Sequence, residues 1–392
     1  MKAGWQIKPI GEVCEVVNGG TPKTGTKEYW GGQHQWITPA EMGKRNSPYI
    51  GETERTVTDA GLQNSSARML PPYSVILSSR APIGHLVINT EPMTTNQGCK
   101  GLVPSDPLHF KFLYYYLSSI VDLLNDLGSG ATFKELSGGK LKEVGIPFPS
   151  LPEQQRIVGI LDNAFDGIAT AKANAEQNLQ NARALFESHL QSVFTQRGEG
   201  WVEKKLSDVC AITSTLVDPR KKEFLDLTHV GAGNIESQTG VFVDLKTARE
   251  EGLISGKFLF DETMVLYSKI RPYLMKVARP DFNGLCSADM YPLAPLPNEI
   301  TRDYLFHLLL SKPFTDYAIQ GSARAGMPKV NREHLFEYRA WLPDVKRQAE
   351  LTAQLDALHE ETQRLESLYQ RKLAALDELK KSLLHQAFSG AL

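Results

Sequence analysis

The chain is written twice, and no other feature constrains its fold as strongly. GWQIKPIGEVCEV from Gly4 is matched by GWVEKKLSDVCAI from Gly200. VILSSRAP from Val75 is matched by VLYSKIRP from Val265, and ESHLQSVF ending at Phe194 by KSLLHQAF ending at Phe388. LPEQQRIVGILD begins at Leu151 and LPDVKRQAELTAQLD at Leu342. The order of these anchors is kept at offsets of 190 to 196 residues, with Cys14 and Cys210 in register. A period of that length is too long for a solenoid unit of roughly 20–50 residues. It predicts two whole domains with internal pseudo-two-fold symmetry, which suits a target with two related halves. The expected organisation is a globular domain over 1–150, a helix over 151–199, a second globular domain over 200–342 and a second helix over 343–392.

The two helical stretches follow from spacing. Val158, Leu161, Phe165, Ile168, Lys172, Ala175, Leu179, Ala182, Phe186, His189 and Val193 recur in steps of three and four. Leu351, Leu355, Leu358, Thr362, Leu365, Tyr369, Lys372, Leu376, Leu379 and Leu383 do the same. A seam with a period of 3.5 requires a partner helix, and the nearest partner is the other copy, running antiparallel. Pro152 and Pro343 mark helix starts, where a missing N–H costs little. Glu153 and Asp344 favour the same positive end. Each helix is expected to span ~63 Å at about 1.5 Å per residue. Gln154, Gln155 and Arg156 are expected on the outer face, free to dock another subunit.

The remaining stretches alternate short β-patterned runs with Gly, Pro and Asn turns, then give one helix each, from Phe110 and from Asp303. This predicts mixed α/β (α+β) domains. A loop rich in Gly, Ser and basic residues follows each helix. Ser129, Thr132 and Lys134 stand in the first, and Ser322, Arg324 and Lys329 in the second. Backbone N–H groups, hydroxyls and cations of this kind hold phosphate oxygens. SSRAP places Ser79 and Arg80 at a strand end, and SKIRP places Ser268, Lys269 and Arg271 at the equivalent one. Lys23 and Lys27 in TPKTGTK, with Arg220 and Lys221 in DPRKKEF, lie soon after each domain begins. Trp36, Tyr114 and Trp341 read as core.

The formal net charge is −2, so no global field marks a polyanionic partner and any nucleic-acid surface must be local. Four cysteines without a CxxC pair predict free thiols in a reducing cytoplasm. No apolar run approaches the ~20 residues needed to cross a bilayer, so no membrane partner is expected. Neither GxxxxGK[ST], HExxH nor a convincing GxSxG elbow is present. A strand, glycine-rich loop and helix suited to a dinucleotide or adenosyl cofactor is also missing. The expectation is a chain that reads and measures without a reaction or cofactor of its own. A coiled-coil scaffold that never touches DNA is the alternative.

NGGTPKT (18–24), YWGG (29–32), WIT (36–38), VILSSRAPIG (75–84), NQGCKGL (96–102), GSGATFKELS (128–137) and IPFPSLPEQQRIVGILD (146–162) give the chain a family likeness. It resembles the specificity subunit of type I restriction–modification enzymes over essentially its full length. The resemblance implies two target recognition domains, each reading one half of a split, asymmetric site in double-stranded DNA, with antiparallel helices setting the spacer. It adds Thr21, Thr24, Asn96 and Gln97 to the candidate DNA contacts, and Glu153 and Arg347 to Gln154 and Arg156 as partner contacts. It implies two methyltransferase subunits that hold S-adenosylmethionine and modify adenine, and restriction subunits that use ATP and Mg. The second copy lacks the EQ of the first at the matched place.

Overall fold

The computed structural model describes residues 4–130, 134–322 and 327–392. The chain divides into two compact units. One takes in the chain up to Ala175 together with Arg371–Leu392, and the other is Glu176–Gln370. Each unit thus contains one globular part and a portion of each long helix.

In the first unit, β1 (Gln6–Pro9) pairs antiparallel with β10 (Gly145–Phe148), closing the globular part on itself. Between them lies a five-stranded sheet of β2 (Cys14–Asn18), β9 (Cys99–Pro104), β6 (Val75–Ser79), β7 (Ile83–Asn89) and β4 (Tyr49–Ile50), in that order. A three-stranded sheet orders β5 (Thr56–Val57), β3 (Trp30–Ile37) and β8 (Met93–Thr95). The central strands read as apolar runs because both faces are covered, and Val75, Ile76 and Leu77 are fully buried.

The second unit repeats the plan. β11 (Val202–Lys205) pairs with β21 (Arg339–Leu342) as β1 does with β10. A four-stranded sheet orders β12 (Cys210–Ala211), β20 (Met290–Pro295), β17 (Val265–Ser268) and β18 (Val277–Ala278). The neighbouring sheet orders β13 (Leu216–Val217), β16 (Lys257–Phe260), β19 (Gly284–Cys286), β14 (Thr228–Val230) and β15 (Lys246–Thr247).

The single helix expected from Phe110 is two, Phe110–Ser119 and Val121–Leu127. Ser118 and Ser119 turn their hydroxyls back onto the carbonyls of Tyr114 and Tyr116 at 2.8 and 2.6 Å, competing with the helical backbone ladder. The counterpart from Asp303 also breaks, into Arg302–Leu310 and Lys312–Gln320. There Ser311 accepts from the Phe314 N–H, and Pro313 occupies the first turn of the new helix.

Both long helices, Leu151–Thr195 and Val345–Ser389, are 45 residues. In the first unit Lys172 pairs with Asp377, and the Arg156 guanidinium reaches the Leu392 carbonyl. In the second, Arg183 meets Glu366 at 3.1 Å and Phe186 packs on the His359 ring. Low numbers on one helix meet high numbers on the other, so the pairing within each unit is antiparallel, as expected. Each unit's core runs unbroken from sheet to helix pair: Leu77, Leu113 and Leu117 join Leu161 and Leu384 in one, and Val265, Tyr304 and Leu308 join Leu190 and Leu355 in the other.

The seam positions of the first long helix are all at least half-buried. On the second, Lys372 and Leu379 face solvent, and Leu384 and Ala387 are buried in their stead. A 3.6-residue helix drifts by about 20° per heptad against a 3.5 repeat, which carries the buried stripe one position onward by the end of the helix.

The helix starts correct the sequence alignment. Gln154 is fully buried, not on the outer face. Its amide accepts from the His109 N–H at 2.8 Å and donates to the carbonyls of Pro107 and Pro149 at 3.2 and 3.0 Å. Gln348 does the same in the second unit, accepting from Thr301 N–H at 2.9 Å and donating to Glu299 and Pro343 at 3.0 and 2.9 Å. The equivalent prolines are therefore Pro149 and Pro343. The glutamine that the second copy lacks at the matched place stands three residues further on.

Candidate nucleic-acid interface

In the first unit four of the motifs converge where β6 ends. The Ser79 N–H donates to the Gly98 carbonyl at 2.8 Å, and the Ser79 carbonyl accepts from Leu136 at 2.9 Å. This fastens three loops together. Ala81 takes a left-handed conformation, φ 53°, which turns the chain sharply at a cost only the surrounding structure can hold. Asn96 accepts from the Gly98 N–H at 2.8 Å and donates to the Thr21 hydroxyl at 3.1 Å. The NGGT turn lies so close that a Cβ on Gly19 would stand 1.9 Å from the Asn96 carbonyl, so only glycine fits. Arg80 and Lys100 flank Glu135 at 3.6 and 3.8 Å. Two backbone hydrogen bonds between Ser129 and Glu135, both 3.0 Å, close the GSGATFKEL loop at its base. Lys134 lines a hollow of about 630 Å³ with Arg80, Pro82 and Glu135.

The second unit builds the same frame with other side chains. The Lys269 N–H donates to the Asp289 carbonyl at 3.0 Å, and the Lys269 carbonyl accepts from Val330 at 2.8 Å. Arg271 holds the left-handed position, φ 50°. The acid is now Asp289, 4.0 Å from Lys269 and 3.5 Å from Lys329. Burial first, then the Lys329 charge, lower the Lys269 amine below its ordinary value, against the pull of Asp289. In each unit two basic side chains meet one acid, Arg80 and Lys100 at Glu135 and Lys269 and Lys329 at Asp289, while Lys134 lines the same hollow as Arg80 and Glu135 and the Arg271 N–H is held by the Pro328 carbonyl. The excess is cationic in both, which offers an anion a local positive site in a chain of near-zero net charge.

The structure thus brings together Thr21, Arg80, Asn96, Ser129 and Lys134, and separately Lys269, Arg271 and Lys329. It does not place every candidate there. Ser79, Ser268 and Ser322 are buried. The Ser268 and Ser322 hydroxyls are turned onto the carbonyls of Ile270 and Ile319, so these serines satisfy backbone and present no hydroxyl to solvent. Gln97 is exposed. Lys23, Thr24 and Lys27 are exposed on the loop before β3, whose Lys23 carbonyl accepts from the Trp30 indole at 3.4 Å. Arg220 and Lys221 follow β13, on a different sheet from Ser268. Arg220 grips Asp218 with two bonds of 2.9 Å and holds that carboxyl down at about 2. Thr132 and Arg324 lie outside the described residues.

At the helix starts, Glu153 and Arg156 form a two-bond ion pair at 2.7 and 3.0 Å. Arg347 meets Glu350 at 2.9 Å while its N–H is capped by Asp344. Sequence reasoning missed Gln348, Lys100 and the organising acids Glu135 and Asp289. A signal for Gln348 existed in the constant offset between Pro149-Ser150 and Pro343-Asp344; nothing marked the acids. Among the described residues no group of three or more His, Cys, Asp and Glu side chains is placed to hold a metal ion. No helix among them is long and apolar enough to cross a membrane.

The chain is a duplicated mixed α/β protein with one cationic loop cluster per copy, and each unit holds a portion of both long helices. The family model for the type I restriction modification DNA specificity domain matches it twice, over residues 2–181 and 198–372, and the chain belongs to that family. The MjaIX specificity subunit of Methanocaldococcus jannaschii is 35% identical over 238 residues, 57% of this chain and 55% of that protein. The EcoDI specificity subunit of Escherichia coli is 29% identical over 315 residues, 72% and 70% of the two chains. The match therefore spans about half the length of the first relative. The fold is that of a solved chain from a study of complex assembly in a type I R-M system (TM-score 0.78, 16% identity, 100% of this chain and 99% of that one). The HsdS subunit of Thermoanaerobacter tengcongensis shares it (TM-score 0.66, 18% identity, 100% and 98%).

Proposed function

We propose that this chain is the non-catalytic DNA-specificity subunit of a type I restriction–modification complex working in the cytoplasm. Each globular part reads one half of a bipartite site in double-stranded DNA. One observation carries this: the same backbone hydrogen bonds build the loop cluster in both copies, at Ser79 and at Lys269, while the side chains they present differ. A common frame positions the duplex through phosphate contacts. Unlike side chains on it read unlike bases, so the two half-sites differ and the whole site is asymmetric.

The long helices set the spacer. A 45-residue helix is about 68 Å long at 1.5 Å per residue, just under two duplex turns of about 34–36 Å. The charged pairs Glu153–Arg156 and Arg347–Glu350 at the two helix starts offer docking points for two methyltransferase subunits, which carry S-adenosylmethionine to adenine. Restriction subunits with ATP and Mg complete the assembly. This chain contributes address and spacing, and its partners the chemistry.

The test is selection from a randomised duplex library by the full chain with its methyltransferase partner. The expected result is one enriched site of two unlike halves at fixed separation, with affinity falling steeply with salt. Equal retention of all sequences overturns the proposal.

A further inference from the structure

The loop that leaves the Arg80 cluster at Thr21 leads to a second group, which among the candidate contacts involves Lys23 through its backbone carbonyl. The Trp36 indole, buried, donates to the Gly20 carbonyl at 2.9 Å, and the Trp30 indole to Lys23. The two rings meet edge to face at 4.9 Å. Over them lies the guanidinium of Arg55, 3.8 Å from the Trp30 centroid and 5.1 Å from that of Trp36. Arg45, Arg68, Arg80 and Arg156 of the same unit each meet a carboxylate. Arg55 does not: among the described residues its N–H groups find no acceptor, and only its backbone carbonyl is bonded, to Trp36 and Thr53. It is exposed, lies over the Trp30 ring and meets no carboxylate. A stacked guanidinium keeps its planar fork and has little rotamer freedom left to lose on binding.

What such a fork takes is decided by its neighbours. On β3, Gln33 and His34 both hold the exposed carboxylate of Asp59, at 2.8 and 2.7 Å. Asp59 lies four residues beyond Arg55, and β5 between them pairs with β3. A carboxylate beside a phosphate is repelled by like charge. Base edges in a major groove suit the set better, because they present acceptors for an arginine and donors for a carboxylate or glutamine side by side.

We infer that Arg55, held over the Trp30 ring, is a base-reading residue of the first unit and takes the O6/N7 edge of a guanine in its half-site. The inference rests on the proposed function and names a reader within it.

The experiment uses the full chain with its methyltransferase partner, comparing the parent with R55A and R55K by library selection and by titration at several salt concentrations. R55A is expected to lose preference for guanine at one position of one half-site, by about tenfold or more, since a bidentate pair is worth ~1–3 kcal/mol and 1.4 kcal/mol is tenfold. The other half-site stays as it was. R55K keeps the charge without the fork and loses the same preference with an unchanged salt slope. If both variants keep the parent's sequence, or if R55A weakens all sequences alike and lowers the salt slope by about one, Arg55 does not read a base and the inference fails while the proposed function stands. If the parent itself selects no sequence, both fail. Arg55 is exposed, and thermal melts matching the parent's exclude a folding defect as the cause of a changed motif.

Discussion

The two units fasten a helix to a sheet by one device and then differ in what they add to it. In both, a buried glutamine near the start of a long helix bonds one N–H and two carbonyls, Gln154 at His109, Pro107 and Pro149, Gln348 at Thr301, Glu299 and Pro343. Two turns on, an aspartate completes the attachment. In the first unit Asp162 takes the Tyr115 hydroxyl and Lys111, at 2.7 Å to the lysine. In the second, Asp356 takes His307 at 2.9 Å and Arg279 through two bonds of 3.1 and 2.9 Å. Burial alone would raise the Asp356 carboxyl, but the His307 and Arg279 donors outweigh it and hold it well below the usual range. The neutral backbone clamp is shared and the charged contact varies. The glutamine satisfies main-chain groups whose positions the fold dictates, while the aspartate only needs some donor within reach.

This comparison breaks first at the glutamines. Q154A and Q348A each strand three polar backbone groups and open a void, and each is expected to cost about 2–4 kcal/mol. Urea unfolding of the full chain followed separately in each unit checks this, and a marked loss from only one substitution would show that the clamps are not equivalent. The aspartates come next. D356N leaves Arg279 with Asp303 as its remaining acid and is expected to cost about 1–3 kcal/mol, whereas D162N is expected to cost about 1 kcal/mol, both sites being partly solvated. Equal losses would erase the distinction drawn here.

The smallest effect is in pH. Burial lowers the pKa of His307, with Asp356 opposing, so the folded state takes up a proton on it less readily than the unfolded chain, which does so near pH 6.5. A depressed histidine contributes stability that is present above that value and lost as pH falls below it. His229 and His359 are pushed down by burial in the same unit. In the first unit the equivalent of His307 is Tyr115, whose hydroxyl burial and Asp162 push upward, and it carries no charge change there. Burial lowers the half-buried His109 there. Hydrogen exchange is therefore expected to show protection of 302–310 falling more than that of 110–119 between pH 7.5 and 5.5. Equal falls would sharpen attention on His109.

Much of this was legible before any coordinates. The doubling, the long helices and their antiparallel pairing follow from spacing and matched anchors, and the family from the resemblance of the quoted motifs. The sequence does not distinguish a serine whose hydroxyl faces water from one turned inward, as the Ser268 and Ser322 hydroxyls are onto backbone carbonyls and as Ser79 is by burial. The second glutamine was missed because Leu-Pro occurs at both helix starts three residues out of structural register. The break at Ile120 was invisible because its cause is two serine side chains bonding backward, with no proline to announce it.

Periodicity can be read from the residues alone: two copies, a helical stripe in each, apolar strands between glycine turns. Periodicity is local, set by 3.6- and 2-residue repeats that any stretch of chain carries within itself. Which groups meet depends on the folded chain. Glu135 reaches Arg80, Asp289 reaches Lys329 and Arg55 lies on Trp30 because loops distant along the chain are held by backbone hydrogen bonds that no side-chain pattern encodes.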